Sequence, residues 1–168
     1  MNLGPALIPE FDQEMGNTRK VLERIPADKL DWKAHPRLNT IRWVGTHIAH
    51  IPGWTTFTLS TECLDLSPPG GSAYQEPLAN SVDEMLEKFD QHVTSARSAL
   101  QTASDETLLR PWTLLNAGIS IFTLPRLAVI RSFVLNHLIH HRAHLCVYLR
   151  MNGVAVPGMY GPSGDEGT

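Results

Sequence analysis

Apolar residues recur at intervals of three and four along most of this chain, which is the spacing of one face of an α-helix. Four segments show this pattern, at residues 8–25, 40–59, 81–103 and 123–151. Pro52 lies inside the second segment, where a proline removes a backbone donor and predicts a kink or a stop. The third opens with the capping-box sequence Ser81-Val82-Asp83-Glu84. The fourth has Pro125 in its first turn and ends at Asn152-Gly153, which is typical of a helix end.

Little of the remaining sequence favours regular structure. Ser67–Ser72 reads as a loop, and residues 105–120 are ambiguous, with 112–115 either a short strand or an extended link. The segment 154–168 is rich in glycine and proline. We therefore predict an all-α fold, a four-helix bundle with one long crossover and an irregular C-terminal tail. A chain of 168 residues suits a single domain spanning residues 1–168.

Composition narrows the possible partners and compartments. The net charge is −3, and no basic patch alternates with aromatic residues, so neither nucleic acid nor an anionic membrane is expected as a partner. The start, Met1 to Glu10, lacks the features of a secretory signal. The two cysteines, Cys63 and Cys146, show neither CxxC spacing nor a disulfide framework, which fits a reducing cytoplasm.

Histidine is the residue type that stands out, with 8 in the chain and six of them in two short segments. The fourth helix carries two pairs four residues apart, His137 with His141 and His140 with His144. Such residues project from one helix face, one turn apart, so two imidazoles can converge on one ion. Zinc, nickel and similar ions accept neutral imidazole nitrogen.

Helix faces distinguish between these histidines. The apolar side of the fourth helix is defined by Ile130, Phe133, Val134, Leu145 and Tyr148. His137 and His141 fall at the centre of this apolar side. His140 lies toward its edge, and His144 lies between the centre and the edge. A metal site in a bundle must face inward, so His137 and His141 are the preferred ligands.

A third ligand should come from a facing helix, because two ligands do not make a tight site. His47 lies near the middle of the apolar stripe of the second helix, and His50 lies at its border. The predicted metal ligands are therefore His47, His137 and His141, which leave coordination positions open for water or substrate. The alternative is that these are hydrogen-bonded core histidines. HxxxH lacks the glutamate of the HExxH zinc-protease signature.

Two further features have a structural interpretation. Arg142 falls on the polar side of the fourth helix, where a salt bridge is favoured over catalysis. Tyr160 and the pair Asp165-Glu166 lie in the tail, which either folds over the metal pocket or serves as a packing or dimer-docking segment.

Three segments carry a family resemblance: residues 10–32, Gly45–Trp54, and the run Asn136–Glu166, which is similar to the ending HxxxHRxxLxVYLRxNGVxVPxxYGPSxDE. Through them the chain resembles the DinB/YfiT-like superfamily of metalloenzymes. The resemblance implies a four-helix bundle, often dimeric, in which His47, His137 and His141 bind a divalent metal. His144 stands where relatives commonly carry Gln, and His50 stands where many carry an acidic residue.

Three functions remain open. One is metal-dependent transfer of a low-molecular-weight thiol to a small electrophile, which the resemblance favours. The second is metal-dependent hydrolysis, and the third is a non-catalytic, metal-stabilised stress or binding protein. Zinc or nickel is the expected ion, the expected partners are a small-molecule substrate and a second copy of the chain in a homodimer, and no catalytic residue beyond the ligands is predicted.

Overall fold

The structure, a computed structural model, describes residues 2–166. The helices are α1 (Leu3–Leu22), α2 (Ile41–His50), α3 (Gly53–Ser60), α4 (Val82–Thr102), α5 (Asp105–Leu109), α6 (Arg126–Val129) and α7 (Asn136–Met151). A 3-10 turn spans Ala27–Lys29, and a π-helical segment, Ile130–Leu135, joins α6 to α7. The strands are β1 (Cys63–Asp65), β2 (Pro111–Asn116) and β3 (Ile119–Pro125).

The prediction of an all-α four-helix bundle is wrong, because the chain also forms a three-stranded mixed sheet. The strand order is β1-β2-β3, with β1 parallel to β2 and β3 antiparallel to it. The β2–β3 hairpin turns at Ala117 and Gly118, with φ of 52° and 76°. Two positive φ angles match a two-residue primed turn, whose twist suits the flanking strands. Asp65 at the end of β1 accepts hydrogen bonds from both turn amides, at 3.0 and 2.8 Å.

Four of the helices enclose the main hydrophobic core. α1 packs against α4 and α7, and α2 packs against the same two helices. The core is formed by buried aliphatic and aromatic side chains from all of them, for example Phe11, Ile48, Phe89 and Leu145. A smaller cluster of Trp112, Leu114 and Val129 lies under the sheet. The helical spacing in the sequence therefore reflects faces that are buried in one core.

Two helix starts differ from those predicted, and two other boundary predictions are confirmed. α1 begins at Leu3 rather than Ile8, and the amide of Leu3 donates to Asp105 Oδ1 at 2.7 Å. The kink or stop at Pro52 is confirmed, since Pro52 separates α2 from α3. The last helical run begins at Arg126, because Thr123–Pro125 belongs to β3. The third helix agrees with its capping box: Ser81 is the N-cap and accepts from the Glu84 amide.

A glycine sets the distance between α1 and α4. A Cβ added to Gly4 would lie 2.3 Å from the carbonyl oxygen of Leu100 and 3.0 Å from that of Ala103. Both atoms belong to the backbone of or next to α4, so they cannot rotate aside. The absence of a side chain at Gly4 thus permits the close approach of the two helices.

The C-terminal segment is held by a buried ion pair. Arg142 is 2% and Glu14 5% exposed, and Arg142 Nη2 lies 2.7 Å from Glu14 Oε2. The Tyr160 hydroxyl lies 2.8 Å from Arg142 Nη2 and 2.9 Å from Glu14 Oε2. Placing Arg142 on the polar side was therefore wrong, although the expected salt bridge is present.

The described part of the tail, residues 154–166, carries neither helix nor strand, and Met1, Gly167 and Thr168 lie outside the described residues. Cys63 and Cys146 are free thiols. No helix within residues 2–166 is both long and apolar enough to cross a membrane.

Candidate metal centre

Three histidine rings from two helices meet where α2 packs against α7. His137 Nε2 lies 3.4 Å from His47 Nε2 and 2.8 Å from His141 Nε2. The one-turn spacing on α7 aligns His137 with His141, and the packing of α2 brings His47 against both. The structure therefore brings together the three residues that the helix faces selected. All three rings are half-buried.

Glu76 determines which nitrogen of His47 faces the cluster. Its Oε2 lies 2.8 Å from His47 Nδ1, which makes Nδ1 the protonated donor and leaves the Nε2 lone pair free. Glu76 Oε1 in turn accepts from the Tyr74 hydroxyl, and Trp54 Nε1 donates to the oxygen of Tyr74, both at 3.2 Å. A carboxylate behind a metal-binding histidine is a common arrangement that fixes ring orientation and raises ligand basicity.

The other two rings are positioned by α7 and the segment before it. The backbone of Phe133, in the π-helical segment, raises the pKa of His137 and so opposes the effect of burial. His141 Nδ1 is buried and has no hydrogen-bond partner among the described residues. Trp43 stacks on His47 with ring centroids 4.7 Å apart and stands edge-on to His141 at 6.0 Å.

Burial keeps the two rings of α7 uncharged. It is the main cause that lowers the pKa of His137 to about 4 and that of His141 to about 3, and the neighbouring histidines lower both further. Both imidazoles are therefore neutral at physiological pH, which is the form that binds a metal. Burial and the nearby Glu76 carboxylate raise the pKa of Tyr74 to about 12, so Tyr74 remains a phenol donor.

The donor set fits a divalent ion. With Nδ1 of His47 protonated by its bond to Glu76, the Nε2 lone pair of His47 faces Nε2 of His137, which in turn lies against Nε2 of His141. Ligands at roughly 2.0–2.1 Å from a tetrahedral zinc ion stand about 3.3 Å apart. The observed separations of 2.8 and 3.4 Å are close to that value. Within residues 2–166, no carboxylate or thiol joins these three histidines in the group of close ligand atoms.

The remaining histidines lie elsewhere. His140 and His144 are exposed on α7 with ring centroids 4.2 Å apart, and together with His141 they form a second close group. His50 faces His92 on α4, with ring centroids 5.2 Å apart, and belongs to neither close group of ligand atoms. These positions agree with the edge and border placement of His140 and His50 on their helix faces.

Sequence reasoning missed Glu76, Tyr74 and the contact of Trp54 with the rings of His47 and His137. The first two lie on the irregular segment between β1 and α4, where no periodicity marks a face. The ring of Trp54 lies 5.4 Å from His47 and 5.3 Å from His137. The isolated acidic residue Glu76 between Gln75 and Pro77 was the one available signal.

Fold and site together define a mainly helical protein with a small mixed sheet and a buried cluster of three histidines. The chain belongs to the DinB family, whose sequence profile matches residues 2–168. No curated protein matches it.

Two solved structures share the fold. A DinB-like protein from Bacillus cereus is 22% identical with a TM-score of 0.68, covering 92% of this chain and 95% of its own. A DinB-like protein from Bacillus subtilis is 17% identical with a TM-score of 0.67, covering 92% of this chain and 96% of its own. At these identities the likeness concerns the fold alone.

Proposed function

We propose that this protein is a metal-dependent enzyme that activates a low-molecular-weight thiol for transfer to a small electrophile. The observation that carries the proposal is the convergence of the Nε2 atoms of His47, His137 and His141. A three-histidine site leaves coordination positions for a substrate. When bound, zinc or nickel would lower the pKa of a thiol and present it as a thiolate at neutral pH.

The chain's own residues prepare the site for that ion. His47, His137 and His141 would hold it through Nε2. Glu76 holds the Nδ1 proton of His47 and adds a negative charge behind the ring. The ring of Trp43 stacks on His47, and the ring of Trp54 stands edge-on to it.

Both carboxylate oxygens of Glu76 already accept hydrogen bonds, and this favours a thiol over water as the nucleophile. One oxygen accepts from His47 and the other accepts from Tyr74, so the carboxylate next to the cluster is not free to act as a general base. A cysteine-like thiol has a pKa of about 8.5, whereas that of bulk water is about 15.7. A thiol therefore needs far less help to lose its proton.

The proposed reaction balances without a redox partner. For a thiol R–SH and an electrophile E–X, the sulfur forms a bond to E and the E–X bond breaks with its electron pair going to X. The thiol proton leaves to solvent or to X, which gives R–S–E and HX. No oxidant or reductant is consumed.

Metal content tests the site. We expect about one ion for each chain of purified protein by elemental analysis, and a His137→Ala variant should lose it. His140→Ala is the matched control, because His140 lies on the same helix but is exposed, and it should retain the ion. Equal metal content in wild type and His137→Ala would contradict the assignment.

The reaction class is tested by turnover of metal-loaded protein with low-molecular-weight thiols and small electrophiles. Thioether formation that is lost in His137→Ala supports the proposal. Hydrolysis of the electrophile without any thiol would instead identify a metal-dependent hydrolase. Bound metal with neither activity across thiol and electrophile series would favour the non-catalytic alternative.

A further inference from the structure

A cavity of about 420 Å³ lies beside the histidine cluster, between α3, the sheet and α4. Its volume is typical of pockets that bind small molecules. We propose that this cavity binds a small uncharged molecule with an aromatic or branched aliphatic body. The inference rests on the proposed function and deepens it, because it assigns the cavity to the apolar part of the electrophile.

The lining selects for an uncharged, apolar occupant. Large apolar side chains from several elements form most of it, including Trp54, Phe57, Leu64, Trp112, Leu114 and Phe133. No Asp, Glu, Lys or Arg of the described residues lines the cavity. A charged ligand would lose its hydration there without gaining a partner of opposite charge, and that loss is costly. Aromatic walls favour planar rings through stacked and edge contacts.

A few polar groups allow one neutral hydrogen-bonding group on the occupant. His92 lines the cavity, and its Nδ1 lies 3.0 Å from the Ala49 carbonyl. Nδ1 therefore donates to that carbonyl, which leaves Nε2 as the ring nitrogen without a hydrogen-bond partner among the described residues. The hydroxyl oxygen of Thr56, another lining residue, has no hydrogen-bond partner among the described residues. A hydroxyl, amide or carbonyl group would match these positions.

The cavity and the histidine cluster share a wall one aromatic layer thick. Trp54 and Phe133 line the cavity and stack on each other with centroids 5.3 Å apart. The same two rings lie 5.3 and 5.6 Å from the ring of His137. None of the three clustered histidines lines the cavity itself. A molecule bound there thus lies one aromatic layer from the cluster and does not compete for its ligand atoms.

Two fluorescent probes with nearly the same rings test the charge preference. N-phenyl-1-naphthylamine is uncharged, and 8-anilino-1-naphthalenesulfonate adds a sulfonate. We expect the neutral probe to bind the metal-free protein at one site, at least about tenfold more tightly than the anionic probe. Absence of binding, or equal affinity for the two probes, would overturn the proposal.

A matched pair of variants on α4 locates the probe. Ser95 lines the cavity at its exposed edge, whereas Ser98 is exposed on the same helix outside the lining. Ser95→Phe should obstruct the cavity and weaken neutral-probe binding about tenfold or more. Ser98→Phe should leave the affinity unchanged. If the two variants bind the probe alike, the cavity is not the site.

Copper(II) separates failure of this inference from failure of the proposed function. One equivalent of copper should quench the bound probe in wild type, because the unfilled d shell of the ion quenches a nearby fluorophore. His141→Ala should bind the probe equally but escape quenching, because His141 belongs to both close groups of histidines and its ring contacts Trp43 and other histidines rather than the cavity wall. Probe binding without metal uptake would refute the proposed function and leave the cavity assignment standing. Metal uptake without probe binding, or without quenching, would refute the inference alone.

Discussion

Glu76 is the residue whose role at the histidine cluster is most open to a direct test. Its carboxylate holds His47 Nδ1 at 2.8 Å and keeps the Nε2 lone pair facing His137. Glu76→Gln retains a carbonyl acceptor but removes the negative charge. We expect the affinity for zinc to fall by about 10–100-fold, the usual effect of losing such a partner. Competition titration against a zinc-binding dye measures it.

Glu87→Gln is the control for that measurement, since Glu87 is exposed on α4 and contacts Gln91. It should bind zinc as wild type does. An unchanged affinity in Glu76→Gln would show that the carboxylate does not orient His47.

At the residue scale, the sequence predicted the three clustered histidines but not Glu76, whose carboxylate orients His47. His137 and His141 were identifiable because a four-residue spacing on one helix is a local property. His47 followed from the apolar stripe of its own helix. Glu76 was not identifiable, since it lies 29 positions from His47 on a segment without periodicity. Tertiary packing, and not a local sequence pattern, brings Glu76 to His47.

At the scale of elements, the close contact of α1 and α4 depends on Gly4. Gly4→Ala would place a methyl group against backbone carbonyl oxygens of α4, so the helices must separate. We expect the free energy of unfolding to fall by about 1–3 kcal/mol, the usual cost of overpacking. Urea unfolding followed by circular dichroism measures the change.

Gly16→Ala on the same helix provides the matched control. Gly16 is exposed, and a Cβ there would have no heavy atom within 4 Å. Alanine should raise stability by about 0.5–1 kcal/mol, because glycine in a helix interior is the less favourable residue. Equal effects at the two positions would mean that helix propensity, and not the helix contact, determines the result at Gly4.

The helices were largely predictable, whereas of the sheet only β2 was indicated, as the strand alternative for residues 112–115. Helix signals such as the Ser81 cap are local, whereas β1 is three residues long and pairs with a strand about fifty positions away. β3 has exposed Ile119 and Ile121 and lacks the alternation of a half-buried strand. Its hairpin turns at Ala117-Gly118, without the Asn-Gly signal of such turns. β1 is therefore specified by long-range pairing, and the β2–β3 hairpin forms without a strong local signal.

At the scale of the whole molecule, a buried ion pair joins the two ends of the chain. Glu14 on α1 pairs with Arg142 on α7, and Tyr160 of the C-terminal segment bonds to both. Removing one member of a buried pair leaves an uncompensated charge, which typically costs about 3–5 kcal/mol. We expect that loss in the free energy of unfolding for Arg142→Met, with one cooperative transition retained.

Two comparisons identify the origin of that loss. In Glu14→Leu/Arg142→Met no charge is left unpaired, so the double variant should be more stable than the sum of the two single changes predicts. Arg97→Met removes an exposed pair with Asp12, which joins α1 to α4 rather than to α7, and should cost less than about 1 kcal/mol. The prediction fails if Arg142→Met and Arg97→Met destabilise equally, or if the two buried changes are additive. Tryptophan fluorescence and circular dichroism should give coincident unfolding curves, because α1, α7 and the C-terminal segment then unfold together.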